Sequence, residues 1–241
     1  MANKISKSQN PNIKLNDAKW IGDEAGRYEN DAALNALDAL YRRGPRAEAT
    51  HWAQAQLKRR LAEMENDAVW YGSVADTALG QVFYAATIDG LVAVEWGMSE
   101  REFLRRVGSR YGAQIVNDPD RLKPFGAQLR EYLAGKRAAF DLPLDLRRLP
   151  EFQRTVLKAA LKIPRGQVKT YGELARQIGR PRAPRAVGQA LGHNPMPIVI
   201  PCHRVVGSDG SLHGYGGGGG LKTKAWLLQL EGARLSPLTT R

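Results

Sequence analysis

A strand, a tight turn and a second strand stand out in the first half of this 241-residue chain. Residues 80–88 (GQVFYAATI) and 90–96 (GLVAVEW) are short runs rich in β-branched and aromatic side chains. Asp89 and Gly90 lie at their junction, and this pair is a strong signal for a hairpin turn. The pattern predicts two antiparallel strands, and such a hairpin needs further layers to bury its apolar face.

The segments after the hairpin predict those layers. Helical patterns occupy Ser99–Tyr111 and Pro124–Ala134, and residues 140–146 (FDLPLDL) alternate apolar and polar side chains like a further strand. Residues 73–147 are therefore predicted to form a small α+β domain with an antiparallel sheet.

Residues 1–72 are predicted to be a separate N-terminal extension. A polar, flexible lead-in occupies residues 1–28, and the apolar stripes of Asn30–Arg43 and Glu48–Met64 predict a helical hairpin. Residues 1–19 lack the apolar core of a signal peptide, and no apolar run is as long as a membrane span. We therefore expect a cytoplasmic protein without membrane contact, associated with the nucleoid in a bacterium or nuclear in a eukaryote.

The last segment, residues 148–241, is predicted to be mostly helical. After a helix at Glu151–Lys162, a T-x-x-E capping box opens a helix at Tyr171–Ile178, and a further helix is predicted at Arg185–Leu191. A compact basic turn, GRPRAP, joins the last two helices. Two short helices joined in this way are typical of a helix-turn-helix DNA-binding motif.

The positive charge of the chain is concentrated in the same segment. Residues 1–147 hold 21 Lys and Arg against 20 Asp and Glu, whereas residues 148–241 hold 15 against 4. Of the net charge of +12, +11 therefore lies in residues 148–241. An excess of this size favours a polyanionic partner such as nucleic acid, although a merely soluble basic face remains open.

The predicted second helix of the motif carries mostly small side chains. Only Arg185 and Gln189 are suited to reading base edges. Ala186 and Gly188 instead allow a close approach to the minor groove. We therefore expect DNA binding that is largely independent of sequence.

Cys202 is the only cysteine of the chain. One thiol excludes an internal disulfide, a CxxC redox pair and a cysteine zinc cluster. Cys202 stands between two apolar, strand-like runs and beside His203 and Arg204, whose charges could lower its pKa. Neighbours on a strand point to opposite faces, so His203 can act as a base only where the chain turns or a water intervenes. An unreactive buried side chain remains the alternative.

Further motifs accompany PCHRVV, the sequence around Cys202: TYGELA and RAVGQALGHNP before it, GYGGG and WLLQLEGA after it. With these motifs, residues 80–233 resemble the O6-alkylguanine-DNA alkyltransferase family. The resemblance implies a ribonuclease H-like α+β domain followed by a winged helix-turn-helix domain. It also implies repair of double-stranded DNA, in which a flipped O6-alkylguanine loses its alkyl group to Cys202 in one irreversible turnover.

The resemblance also implies roles for individual residues. Cys202 matches the alkyl acceptor, His203 the base that acts through a water, and Glu231 the carboxylate that polarises this histidine. The remaining matches are the hinge Asn194, the tyrosine Tyr171 that contacts phosphate and protonates the leaving guanine, the arginine Arg185 that enters the base stack, and the pocket residues Val205, Tyr215, Gly216 and Lys224.

No cofactor or metal is implied, and we expect a monomer. The zinc site of some relatives needs cysteines, and this chain has no cysteine besides Cys202. The glycine run 216–220 is longer than the family pattern, which predicts a flexible pocket lid that admits larger alkyl groups. Acceptance of O4-alkylthymine stays open.

Two other interpretations also stay open. A non-catalytic lesion sensor would flip and bind the damaged base without alkylation, although such proteins usually lack the cysteine. A winged-helix transcription factor with an inert thiol would leave Glu231, Asn194 and Tyr171 unexplained.

Overall fold

The computed structural model describes residues 53–60, 68–112 and 114–233. Residues 53–60 are helical and lie within the second helix predicted for the extension, Glu48–Met64. The predicted lead-in and the first helix of the extension lie outside the described residues. Within the described ranges, no helix is long and apolar enough to cross a membrane.

A four-stranded sheet forms the centre of the first domain. Strands β1 (Val69–Thr77), β2 (Gly80–Thr87) and β3 (Gly90–Trp96) pair antiparallel, and β4 (Ile115–Asn117) joins β1 in parallel. The predicted hairpin is thus confirmed as β2 and β3. Its turn requires glycine because Gly90 has a φ of +140° and a Cβ there would lie 2.5 Å from the carbonyl oxygen of Pro143.

The sequence pattern does not reveal β1 or β4. Because β1 begins at Val69, a domain start at residue 73 would cut through this strand. Gly72 interrupts the β-rich pattern of β1, yet a Cβ at this position would lie 3.0 Å from the Tyr84 hydroxyl oxygen. The three residues of β4 are too few for periodicity to identify them.

Helices cover both faces of the sheet. Helix α1 (Glu100–Tyr111) packs Phe103 on one face, and α2 (Lys123–Leu133) packs Phe125 on the other. Alternate side chains of each strand point to opposite faces, so the strands contribute to both apolar clusters. The cluster on the α2 side continues into the second domain, and the two domains therefore share one core.

Residues 140–146 do not form the strand that their alternation predicts. They connect the two domains and make a single bridge, between Leu144 and Leu91 of β3. In this bridge Leu91 N donates to Pro143 O at 2.9 Å and Asp145 N donates to Leu91 O at 2.9 Å. Pro143 has no N–H with which to continue a ladder, so the pairing does not extend.

The second domain is mostly helical. Its elements in chain order are α3 (Glu151–Leu161), β5 (Lys169–Thr170), α4 (Tyr171–Gln177), α5 (Pro184–Gly192), a 3₁₀ turn (Cys202–Arg204), β6 (Val205–Val206) and α6 (Gly220–Leu230). Helices α4 and α5 form the predicted helix-turn-helix pair. The capping box of α4 is also confirmed: Thr170 Oγ1 accepts from Glu173 N at 3.1 Å, and Glu173 Oε2 accepts from Thr170 N at 2.6 Å.

Cys202 does not lie between two strands as its apolar neighbours predict. The chain before it makes a tight turn, in which Ile200 N donates to Met196 O at 2.8 Å and Ile198 has a φ of +76°. Prolines at positions 195, 197 and 201 remove the N–H groups that a strand would need. Only β6, which pairs in parallel with β5, follows as a strand.

Candidate active site

Cys202 opens the 3₁₀ turn and is buried, with 5% of its surface exposed. Asn194, which follows α5, donates from Nδ2 to Ile200 O at 2.9 Å and to Cys202 Sγ at 3.2 Å. Its Oδ1 accepts from Met196 N at 3.0 Å, so one amide ties together the segment that presents the thiol. Because the chain turns here, Cys202 and His203 are not forced onto opposite faces of a strand.

The surroundings of the Cys202 thiol have opposing effects on its pKa. Burial raises the pKa, whereas the hydrogen bond from Asn194 and the positive charge of Lys224 lower it, and burial dominates. The resting thiol is therefore protonated at neutral pH. It needs a base before it can act as a nucleophile.

Glu231, which follows the last residue of α6, is the centre of a buried hydrogen-bond network. Its Oε1 lies 2.8 Å from His203 Nε2. Arg204 donates from Nε to Oε2 at 2.8 Å and from Nη2 to Oε1 at 2.9 Å, and Tyr132 of α2 donates its hydroxyl to the same Oε1. Burial alone would raise the pKa of Glu231, but the bonds from His203 and Arg204 hold it well below its usual range.

The network determines which nitrogen of His203 is basic. An ionised carboxylate only accepts hydrogen bonds, so His203 Nε2 carries the proton that points to Glu231. Burial lowers the pKa of His203 more than Glu231 raises it, which keeps the ring neutral. Its Nδ1 is buried and has no hydrogen-bond partner among the described residues. This nitrogen is therefore available to accept a proton.

Lys224 is a buried cation beside the thiol. Its side chain is fully buried, and Nζ donates to Val205 O at 2.7 Å and to His213 O at 2.8 Å. Burial lowers the pKa of Lys224 to about 8, and the positive charge in turn lowers the pKa of Cys202. Arg204, expected from sequence to act on the thiol, instead gives its hydrogen bonds to Glu231 and to Ile163 O at 2.5 Å.

Two tyrosines flank the cysteine and lysine. Tyr171, the first residue of α4, donates to His213 O at 3.4 Å, and Lys224 Nζ donates to its hydroxyl at 3.5 Å. The hydroxyl of Tyr215 is buried without a hydrogen-bond partner among the described residues. Burial, and next the proximity of Cys202, raise the pKa of Tyr215 well above its usual value, so it stays protonated.

The prediction of a flexible glycine lid is wrong. A Cβ at position 216 would lie 2.2 Å from Gly192 O, and a Cβ at position 218 would lie 2.5 Å from the backbone oxygen of Trp96. Trp96 Nε1 also donates to Gly218 O at 2.9 Å. Gly216, Gly217 and Gly218 are closely packed between Gly192 and Trp96, because side chains larger than hydrogen do not fit at these positions, whereas a Cβ at Gly220 would meet nothing within 4 Å.

The helix-turn-helix presents a basic face to solvent. Arg185 and Gln189 of α5 are one helical turn apart and exposed, whereas Val187 and Ala190 are buried against the domain. Gly188 lies close to Tyr171, because a Cβ there would sit 3.6 Å from the tyrosine ring. The small residues predicted to permit close approach therefore also let α5 pack near Tyr171.

Sequence reasoning missed two contributors to the site, both from the first domain. Tyr132 lies on α2, 99 positions before Glu231, and Trp96 lies on β3, 122 positions before Gly218. The apolar stripe of α2 predicts only that Tyr132 is buried, and β3 predicts only a core tryptophan. No local signal indicates which distant side chains these residues contact.

Fold and site together define a class of protein. A ribonuclease-like sheet domain is joined to a helix-turn-helix domain that holds one buried cysteine beside a buried His–Glu pair. Residues 70–146 match the family described as 6-O-methylguanine DNA methyltransferase, ribonuclease-like domain, and residues 151–233 match its DNA binding domain.

Named relatives and a solved structure are similar to this chain in sequence. The methylated-DNA-protein-cysteine methyltransferase of Mycobacterium tuberculosis is 51% identical over 117 residues, which cover 48% of this chain and 69% of the relative. The inducible enzyme of that name from Bacillus subtilis is 42% identical over 151 residues, 62% of this chain and 83% of the relative. The crystal structure of Mycobacterium tuberculosis OGT in complex with DNA has a TM-score of 0.58 and 39% identity, and the match covers 70% of this chain and 96% of that chain. This chain belongs to the 6-O-methylguanine DNA methyltransferase family.

Proposed function

We propose that this protein repairs DNA by moving the alkyl group of O6-alkylguanine onto Cys202, once per molecule and as a monomer. The observation that carries the proposal is the buried thiol, held by Asn194, in the same turn as the neutral imidazole of His203. The basic helix-turn-helix face of the same domain would bring DNA to this thiol.

The reaction begins with removal of the Cys202 proton. His203 Nδ1, the unoccupied basic nitrogen, accepts this proton through a water molecule, and Glu231 stabilises the imidazolium that forms. Lys224 stabilises the thiolate by its charge. The base is needed because burial of the thiol keeps it protonated at rest.

The thiolate then attacks the alkyl carbon. A carbon–sulfur bond forms while the bond from carbon to guanine O6 breaks, and the electron pair of that bond stays with the guanine. Tyr171 donates a proton to the departing base and is reprotonated through Lys224, whose Nζ lies 3.5 Å from its hydroxyl. Solvent returns a proton to Lys224 and takes up the proton that His203 accepted from Cys202, so one proton in total passes from the thiol to the guanine. The thioether product is a poor leaving group, so each molecule reacts once.

DNA is bound through the helix-turn-helix, with α5 at the minor groove. The alkylated nucleotide must leave the stack to reach a buried thiol, and Arg185 is the exposed side chain that would fill the vacated space. The related OGT from Mycobacterium tuberculosis was crystallised in complex with DNA, which supports DNA as the partner here.

The closely packed glycine run favours small alkyl groups. Because Trp96 and Gly192 hold this segment in place beside Tyr215, the wall of the pocket has little room to retreat. We therefore expect methyl to be transferred faster than benzyl, and O4-methylthymine is a second substrate to test against O6-methylguanine.

Intact-mass measurement tests the function directly. Protein incubated with duplex DNA carrying O6-methylguanine should gain one methyl group, and peptide mapping should place it on Cys202. Cys202→Ala should gain nothing while it still binds the duplex. Binding without any mass gain by the natural chain would overturn the proposal and favour a lesion sensor, and repeated turnover would contradict a stable thioether.

The role of Arg185 is tested by a pair of substrates. Arg185→Ala should slow repair of duplex DNA by about 10-fold or more, because the extruded nucleotide loses its replacement in the stack. Reaction with free O6-benzylguanine should stay within about twofold of the natural chain, since a free base needs no extrusion. Equal loss on both substrates would show that Arg185 acts through the structure of the domain.

A further inference from the structure

Tyr132 links the first domain to the carboxylate of the proposed active site. It lies on α2, is fully buried, and donates its hydroxyl to Glu231 Oε1. Arg204 Nη2 lies 3.5 Å from the same hydroxyl oxygen. Because a guanidinium can only donate, this oxygen accepts from Arg204, and the hydroxyl proton is directed to Glu231.

The ring of Tyr132 is packed against two further side chains. The ring of Phe140 packs at a centroid distance of 4.7 Å, and the guanidinium of Arg165 lies 5.6 Å from the Tyr132 ring centroid. Arg165 is itself fixed by hydrogen bonds to Arg137 O at 2.5 Å and to Leu230 O at 2.8 Å. The hydroxyl therefore cannot turn away from Glu231 without disrupting contacts of both domains.

We propose that Tyr132 is a positioning residue of the alkyl transfer, which acts through Glu231 to keep His203 a neutral base. The proposal rests on the proposed function. Three donors converge on Glu231 Oε1: His203 Nε2, Arg204 Nη2 and the Tyr132 hydroxyl. Each donor withdraws negative charge from the oxygen that faces the imidazole.

Removal of one donor to Glu231 would raise the pKa of His203. With Tyr132 absent, Glu231 Oε1 would hold more charge for the imidazole, and the protonated ring would become more favourable. A larger fraction of His203 would then carry a proton at neutral pH and could not accept one from Cys202.

Removal of the Tyr132 hydroxyl leaves the other ionisable groups around His203 and Glu231 in place. Arg204 and Lys224 both oppose protonation of His203, and Glu231 is the one carboxylate among the groups that shift its pKa. Cys202 and Tyr215 lie nearby and are neutral at rest, because burial raises the pKa of each. The hydroxyl of Tyr132 is thus the component that can be removed from Glu231 without changing a charge.

The test compares pH profiles of methyl transfer. We would measure the rate constant for methyl transfer from duplex O6-methylguanine between about pH 5 and 9 for the natural chain, Tyr132→Phe and Tyr84→Phe. Tyr84 is a buried tyrosine of β2 outside the Glu231 network and serves as the matched control. We expect the midpoint of the acid limb to move up by about half to one pH unit in Tyr132→Phe alone.

A second substitution is expected to have the opposite effect. Site-specific 3,5-difluorotyrosine at position 132 is a stronger donor, so the midpoint should move down. This variant keeps the hydroxyl and preserves the test if Tyr132→Phe fails to fold. An unchanged midpoint in either folded variant, with only the rate or the melting temperature altered, would overturn the positioning role.

Failure of this inference can be separated from failure of the proposed function. NMR titration of the His203 ring reports its pKa without any substrate, and we expect the same upward shift in Tyr132→Phe. A natural chain that transfers no methyl group would overturn the proposed function, while the NMR shift would still decide whether Tyr132 acts on His203.

Discussion

The two domains place their charged side chains in opposite ways. Among the described residues of the first domain, Asp145 is the one buried charged side chain, and it pairs with the exposed Arg147. The second domain buries three charged side chains within its described residues, Arg204, Lys224 and Glu231, together with the neutral imidazole of His203. Burial of charge costs stability, so this contrast fits the proposed function, in which the first domain is a scaffold and the second carries the chemistry.

The scaffold nevertheless reaches into the site. Trp96 donates to the backbone of the glycine run, and Tyr132 donates to Glu231. Both side chains come from regular elements whose own packing holds them in place. A rigid sheet domain can therefore position groups of the neighbouring domain without contributing charge.

The largest expected effect is that of Glu231→Gln. The substitution leaves the buried guanidinium of Arg204 without its counter-charge, and we expect a loss of about 3–5 kcal/mol in the free energy of unfolding. Methyl transfer should fall by about 100-fold or more because His203 loses its polarising partner. Urea unfolding and the transfer rate check these values.

The matched control for Glu231→Gln is Glu151→Gln, in the exposed first turn of α3. It should change stability by less than about 1 kcal/mol. Equal losses in the two variants would remove the contrast between buried and surface charge.

Lys224 should produce a rise in stability with pH. Its pKa in the folded state is about 8, below the 10.5 of an unperturbed lysine. Between these values the unfolded chain binds a proton that the folded chain lacks, so the free energy of unfolding increases with pH. The full increase is roughly 3 kcal/mol, and it should be missing from Lys224→Met.

The free energy of unfolding is measured between about pH 7 and 10.5 for the natural chain and for Lys224→Met. The difference between the two curves gives the contribution of Lys224, because the other lysines titrate alike in both proteins. Lys224→Met should also slow methyl transfer by about 10-fold for each unit by which the thiol pKa rises. Parallel curves of unfolding free energy against pH for the two proteins would show that folding does not lower the pKa of Lys224.

Gly218→Ala tests the contact between the domains. Its Cβ would lie 2.5 Å from the backbone oxygen of Trp96, and we expect a loss of about 1–3 kcal/mol in the free energy of unfolding. Gly214→Ala is the control, since nothing lies within 4 Å of a Cβ at that position. If both variants unfold at the same temperature, the glycine run is not packed on Trp96.

The smallest expected effect belongs to the surface of the scaffold domain. Arg106 pairs with Glu95 at 2.9 Å and with Glu102 at 2.8 Å, but 51% of its side chain is exposed. Arg106→Ala should therefore cost less than about 1 kcal/mol, and less still at high salt. A loss as large as that of Glu231→Gln would show that the scaffold also depends on its ion pairs.

Several elements could be predicted because their signals are local. The hairpin turn at Gly90, the capping box of Thr170 and Glu173, and the helix-turn-helix pair depend on residues only a few positions apart. The same kind of reasoning failed for residues 140–146, where alternation resembled a strand but Pro143 prevents a ladder. Periodicity records which side chains are apolar and not which backbone groups find partners.

The amino-acid sequence by itself determined the class of fold, the segregation of positive charge and the identity of the one available thiol. These properties follow from composition, period and spacing along the chain. Only the tertiary structure decided that Tyr132 and Trp96 complete the site, that Lys224 is the cation beside Cys202, and that the glycine run is packed. Such contacts join positions far apart in the chain, and shape, burial and hydrogen bonding select them after the elements have formed.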